Sequence, residues 1–341
     1  MAARLEGVAP MTAPEAADDG WLHRRGPGWL VVMGKEVAEG LTSLRFTILL
    51  GLLALAAAAP VYAASGAIRD AAEGASGVAA LFLGLFTIGA DPVPSFVALV
   101  GFVAPLLGIA FGFDAINGER SQGTLPRLLS QPIHRDDVVN GKFAAGLAMI
   151  AVALTAMMLL VAGIGIIRLG IVPSAVEVAR LAGWLVLTIV YVGLWLAFAT
   201  LCSVLVRRAA TSALIAIGVW LTLSLFGVLL ARLVAGLLDP SGATGAAAGQ
   251  LAHAQLEQQL SSISPGTLYQ QATTALLNPS ATAVTVPGLA QLIQLSQQIP
   301  TQLSLDQSLL VAWPQMVILV ALTVGCFVGA YVGFLRQEVR A

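Results

Sequence analysis

The chain has 341 residues, 58% of them hydrophobic and 10% charged, with a net charge of −1. Soluble domains carry about 25% charged residues, and here the apolar residues fall in several long, separate runs. That excludes one large soluble core and identifies an all-α polytopic membrane protein. The runs are about twice the ~10 residues of a barrel strand and lack alternating polarity, which excludes a β-barrel. A net charge near zero says little about nucleic acid, and none is expected as a partner.

Residues 1–28 are expected to form a disordered cytoplasmic tail. MAARLEGVAPMTAPEAADDG has no apolar core and is not a secretory signal. Over residues 29–45, Leu30, Met33, Val37, Leu41 and Leu44 recur at spacings of three and four. Lys35, Glu36, Glu39, Thr42 and Ser43 fall on the other face. This pattern predicts an amphipathic helix in the cytoplasmic interface, or the first turns of the next span. Residues 46–237 hold five spans: Phe46–Ala64, Ser95–Phe113, Phe143–Ile167, Leu181–Val206 and Thr211–Leu237. A loop with Arg69, Asp70 and Glu73 follows the first. VAALFLGLFTIG (Val78–Gly89) is too short to cross and is broken by Asp91, Pro92 and Pro94. It reads as a re-entrant or interfacial external helix.

Between the second and third spans lies a charged island, residues 114–142, with the core GERSQGTLPRLLSQPIHRDDVVNGK (Gly118–Lys142). Arg120, Arg127, Arg135 and Lys142 direct it to the cytoplasm. Gly118 and Gly123 permit a chain reversal. Thr124 can cap a helix and Pro126 suits its first turn. Leu125, Leu128 and Leu129 then form an apolar stripe, and Pro132 ends it. Asp136 or Asp137 can cap the third span. The island is either a docking helix for a soluble partner or a loop lying on the membrane surface.

Arg168, Pro173 and Glu177 link spans three and four, and Arg207-Arg208 make a tight cytoplasmic turn before span five. Residues 238–308 contain no Lys or Arg, as expected of a translocated loop. Leu256, Leu260 and Ile263 mark one short amphipathic helix there, Leu268, Ala272 and Leu276 another, and GLAQLIQLSQQ a third. Gln250–Gln298 is expected to pack as short helices forming a cap over the dimer. The sixth span, Leu309–Leu335, opens the last segment, 309–341. Six spans put both termini in the cytoplasm. Of the 17 Lys and Arg residues, only Arg69, Arg168, Arg180 and Arg232 then fall outside or near the outer ends.

Catalytic and metal chemistry find no support. Gly34-Lys35 and Gly141-Lys142 lack the spacing of a phosphate-binding loop. His23, His134 and His253 are scattered, so no metal site is assigned. Cys202 and Cys326 sit in apolar segments as packing residues. No Ser-His-Asp or Cys-His site emerges. The spans carry almost no charge in their interiors, which argues against an ion-coupled carrier. Asp114 and Arg232 near span ends read as snorkelling or interfacial residues.

The island resembles the signature of ABC-2 type transporter permeases, in the subgroup resembling the permease of nitrous-oxide-reductase maturation and sodium-efflux permeases. The family pattern is approximately G-E-x-x-x-G-T-L-x-x-L-L-S-x-P-x-x-R with G-K following. It is matched at Gly118, Glu119, Gly123, Thr124, Leu125, Leu128, Leu129, Ser130, Pro132, Arg135, Gly141 and Lys142; Pro126 departs from it. GKEVAEGLTSLRF, with Lys35 and Glu36, is similar to the family's elbow helix. ISPGTLYQQATTALLNPS is similar to the stretch before the last span.

The resemblance implies the non-catalytic membrane subunit of an ATP-driven exporter in a bacterial or archaeal cytoplasmic membrane. It implies a homodimer, two separate ATPase subunits that hold ATP and Mg, and no cofactor on this chain. The island becomes the coupling helix, with Leu125, Leu128 and Leu129 in an ATPase groove and Glu119 and Arg135 at its rim. The first and fifth spans, with Gly51, Ala54, Ala56, Ala57 and Gly218, are the expected dimer contacts. The alternatives are a mechanotransmitter or maturation factor acting on an extracytoplasmic partner protein, and a channel or scaffold without an ATPase.

Overall fold

The computed structural model describes residues 27–74, 81–89, 92–123, 134–238, 253, 255–257, 259–261, 263–278 and 304–336. The expectations for residues 1–26, the island helix Thr124–Pro132, GLAQLIQLSQQ and residues 337–341 lie outside these. The described residues form α1 (Gly28–Leu41), α2 (Leu44–Gly74), α3 (Leu81–Thr87), α4 (Phe96–Val103), α5 (Pro105–Gly112), α6 (Asn117–Ser121), α7 (Arg135–Leu169), α8 (Ala175–Leu205), α9 (Ala209–Leu238), α10 (Pro265–Leu277) and α11 (Leu305–Leu335). Among the described residues, six segments are long and apolar enough to cross a bilayer: Leu44–Arg69, Phe96–Ser121, Arg135–Leu169, Ala175–Leu205, Ala209–Leu238 and Leu305–Leu335.

Capping moves several helix starts ahead of the apolar runs. Ser174 Oγ accepts from the Glu177 N–H at 3.3 Å, and Glu177 accepts from the Ser174 N–H at 2.9 Å. Ser304 and Gln307 make the same reciprocal pair at 3.3 and 3.1 Å. These capping boxes start α8 and α11 before Leu181 and Leu309, where hydropathy alone puts the spans. At α7 the Asp137 carboxylate accepts from the His134 N–H at 3.3 Å. The RDDVVNGK half of the island is therefore helical and continuous with span three. Gly170, at φ 66°, ends that helix in a left-handed conformation. Helix α2 runs on to Gly74, so Arg69–Glu73 is helix rather than loop. Residues 67–73 are rich in Ala and contain neither Gly nor Pro, so the helix continues to Gly74. Span two is interrupted at Ala104, because Pro105 lacks the N–H that would continue the ladder.

Helix α8 is the central strut: 67% of its apolar window is buried, against 11% for α9. Gly108 and Gly112 bring span two onto it. A Cβ on Gly112 would lie 2.7 Å from Leu196 O, and one on Gly108 would lie 2.8 Å from Leu196 N. Lipid removes the hydrophobic drive between helices, so close approach through such G-x-x-x-G faces supplies the packing energy. Helices α1 and α2 run in the same direction as α7. Val32 faces Gly141, Phe46 clusters with Met149 and Ala153, and the Tyr62 ring lies 4.7 Å from the Arg168 guanidinium. The bundle thus has a Lys142 end and an Arg180 end.

Two short helices are packed inside the Arg180 half. In α3, Phe82, Leu83, Leu85 and Phe86 are all buried, and Phe86 meets Phe96 edge-on at 5.4 Å. This agrees with a short helix that does not cross. In α10, the expected Leu268, Ala272 and Leu276 stripe is buried. Within the protomer it is buried against other helices. Tyr269 stacks on Tyr191 of α8 at 4.4 Å, and its hydroxyl lies 3.1 Å from Thr188 Oγ1. Ser264 Oγ donates to Leu223 O of α9 at 3.4 Å. Tyr191 and Leu223 are mid-helix residues, so α10 is wedged between spans, with its N-terminus at half their height.

Candidate functional site

The flanks of the island meet α1 at the Lys142 end. Helix α1 turns Trp29, Val32, Glu36 and Gly40 toward α7, about a quarter turn from the apolar stripe that starts at Leu30; the expected stripe breaks after Leu41, and Leu44 opens α2. Leu30 and Leu44 are left exposed. The approach is close because Gly141 has no side chain: a Cβ there would lie 2.6 Å from Val32 Cβ and 2.8 Å from Trp29 O. That contact sets Lys142 between two carboxylates. Its Nζ donates to Glu36 Oε1 at 2.7 Å and to Glu119 Oε1 at 3.1 Å. The Lys142 side chain is only 8% exposed, Glu36 26% and Glu119 20%. Two carboxylates around one ammonium offset the cost of its burial.

A second ion pair closes the neighbouring wall. Arg45, at the start of α2, donates to both carboxylate oxygens of Asp114 at 3.1 and 2.7 Å, and to Ala110 O at 3.1 Å. Its guanidinium lies 5.2 Å from the centre of the Phe113 ring. The two charge clusters line a cavity of about 510 Å³ between α1, α2, α5, α6 and α7. Between α5 and α6, Ser203 Oγ of α8 accepts from the N–H groups of Ile116 and Asn117, both at 3.1 Å. This bond ties the island's first flank to the central strut.

Several motif residues have definite places in this arrangement. Glu119, Gly141, Lys142 and Glu36 converge. Gly123, at φ 68°, ends α6 in the left-handed region that favours glycine. Glu119 faces inward onto Lys142 rather than outward at a rim. Arg135 is exposed at the first turn of α7. Lys35 does not join the cluster; it makes an exposed i,i+4 pair with Glu39 at 3.6 Å. Thr124, Leu125, Leu128, Leu129 and Pro132 lie outside the described residues. Sequence reasoning missed Ser203 and the Arg45–Asp114 pair. A basic residue at the foot of one span and an acidic one at the foot of the next was the available signal. Among the described residues no group of three or more His, Cys, Asp or Glu is placed to hold a metal ion. The arrangement is an electrostatic clasp holding α1, α6 and α7 together.

Residues 30–339 match the family described as ABC-2 family transporter protein. The chain is similar to the probable ABC transporter permease protein NosY of Stutzerimonas stutzeri, 30% identical over 193 residues, covering 54% of this chain and 63% of that protein. It is also similar to the probable ABC transporter permease protein NosY of Pseudomonas aeruginosa, 31% identical over 122 residues, covering 35% and 38%. The chain thus spans less than two thirds of the length of either relative.

Proposed function

The chain belongs to the ABC-2 transporter family, and on that premise we propose that it is the non-catalytic membrane subunit of an ATP-driven exporter. It works as a homodimer with two separate ATPase subunits that bind ATP and Mg. The Lys142 end and both termini face the cytoplasm. The island between Gly123 and His134 is the coupling element, with Leu125, Leu128 and Leu129 in an ATPase groove and Arg135 at its edge.

The observation that carries this reading is the clasp. Both flanks of the island are fixed, one to α8 through Ser203 and the other to α1 through Lys142. A push on the segment between them moves α1, span two and span three as a unit, the kind of rigid-body switching that differential ATPase contacts can drive. The test is Leu128→Asp in a co-expressed complex. A buried apolar anchor at an interface is worth about 2 kcal/mol or more. The variant is therefore expected to lose ATPase in pull-downs, or to hydrolyse ATP without transport, while the membrane subunit stays folded. Normal association and normal coupling would remove the island from the interface.

One observation favours a second reading, in which the same movement acts on an extracytoplasmic protein. Helix α10 is held inside the bundle by Arg180, which donates to Leu276 O at 2.8 Å and to Ser308 Oγ at 2.9 Å. A shift of the spans therefore reaches the 238–308 segment directly.

A further inference from the structure

Helix α10 is amphipathic in an unusual place. Leu268, Tyr269, Ala272 and Leu276 pack inward, whereas Gln270 and Thr274 are exposed and Thr267 is half-buried on the other face. These three recur at i, i+3 and i+7, one polar stripe along the helix. Its lower turns lie at the height of Tyr191 and Leu223, the middle residues of helices 31 and 30 residues long. At 1.5 Å per residue that is about 20 Å from either helix end, well inside a hydrocarbon layer ~30 Å thick. A carboxamide placed in hydrocarbon without partners costs on the order of 4–8 kcal/mol. The Gln270 stripe therefore does not face lipid.

The structure supplies another surrounding. Thr267 and Gln270 of the stripe form the back of a cleft of about 430 Å³, whose side walls are Gly101 and Phe102 of α4 and Ser224 and Val228 of α9. That volume falls in the ~300–1,000 Å³ range of small-molecule sites. The missing side chain at Gly101 keeps the cleft open to the stripe, since a Cβ there would lie 2.7 Å from Gln270 Nε2. Polar groups at its base include Ser264 and Tyr191, whose hydroxyl donates to Gly101 O at 3.2 Å. Among the described residues, none of those lining the cleft is Asp, Glu, Lys, Arg or His. An ion at this depth would have no countercharge against its desolvation cost. A neutral solute would find amide and hydroxyl groups instead.

We infer that the cleft between α4, α9 and α10 is a hydrated binding site, at half the depth of the membrane, for an uncharged, hydrogen-bonding small molecule. This rests on reading the chain as a transport subunit. Its test needs no ATPase, so the two readings fail separately.

The test is cysteine accessibility of the full chain in membranes, in a Cys202→Ala/Cys326→Ala background. Gln270→Cys and Ser224→Cys probe two walls of the cleft. Phe226→Cys probes the opposite face of α9 at the depth of Ser224; Phe226 is 50% exposed. The probes are three thiosulfonate reagents of similar size, one neutral and hydrophilic, one cationic and one anionic. Thiols react as thiolates, which need water. The neutral reagent is therefore expected to modify the two cleft positions at least about tenfold faster than position 226. Both charged reagents should react more slowly there than the neutral one. Two cleft variants on different helices, each checked as a monodisperse particle, guard against loss of fold. Equal rates at positions 224 and 226, or no reaction at 224 and 270, overturn the hydrated cleft. Faster reaction of either charged reagent overturns its chemistry.

Discussion

Lys142 shows how one side chain can be both a structural tie and a vulnerable point. Its ammonium is buried between Glu36 and Glu119. Removing one member of a buried pair leaves an uncompensated charge and costs roughly 3–5 kcal/mol. Lys142→Met is therefore expected to lower the thermal midpoint in detergent sharply. Adding Glu36→Gln and Glu119→Gln should restore part of the loss, because the unpaired carboxylates disappear. A triple variant no more stable than Lys142→Met alone would show that the clasp is not what holds α1 in place. The Arg45–Asp114 pair is more solvated, with Arg45 46% exposed, so its loss should matter less, about 0–1 kcal/mol. The motif residues Glu119, Gly141 and Lys142 were legible in the sequence, but their relation was not. Lys142 bonds partners 106 and 23 positions away. Only the close approach permitted by Gly141 determines that those partners are carboxylates of α1 and α6.

Among the elements, α10 is the one whose neighbours its sequence announces least. Its Leu268, Ala272 and Leu276 periodicity announces a helix with one apolar face, yet periodicity does not say what covers that face. The covering is α11 together with α8, on which Tyr269 stacks through Tyr191, and it is locked by Arg180 at Leu276 O near the helix's end. A cation at a helix C-terminus also meets the negative end of the dipole. Arg180→Ala removes the bonds to Leu276 O and Ser308 Oγ, each worth about 1.5–3 kcal/mol as a charged hydrogen bond. Hydrogen exchange of the α10 amides should accelerate while that of α1 stays unchanged, and Arg180→Lys should recover part of the protection. Unchanged exchange in α10 would mean that aromatic stacking alone holds it. The helix starts at Ser174 and Ser304 were readable as S-x-x-E and S-x-x-Q boxes. They are hidden when spans are bounded by hydropathy alone, because capped polar first turns are not apolar.

At the scale of the whole molecule, the exposed apolar faces of α2 and α9 leave room for a second copy. Cβ atoms built on Gly51 and Gly218 meet nothing within 4 Å, whereas Ala57 is already buried within the protomer. Both glycines lie about 11–14 Å along helices that start at the Lys142 end, so they share a depth. Gly51→Cys combined with Gly218→Cys, in the cysteine-free background, should give an oxidant-dependent cross-linked dimer in membranes. A particle of one chain that still couples to an ATPase would contradict the dimer. The number of spans, the helical class, the place of the island, the short helix at Val78–Gly89 that does not cross, and the family resemblance were all legible in the sequence. Each of these follows from local length, hydropathy or a contiguous motif. Only the tertiary structure decided which end of α10 points into the bundle, which face of α1 meets α7, and that Glu36, Glu119 and Lys142 form one cluster. In lipid every span is apolar on all sides, so hydropathy does not choose neighbours. That choice falls to small residues that let backbones touch, here Gly108, Gly112 and Gly141, and to the few polar groups that must find one another once they do.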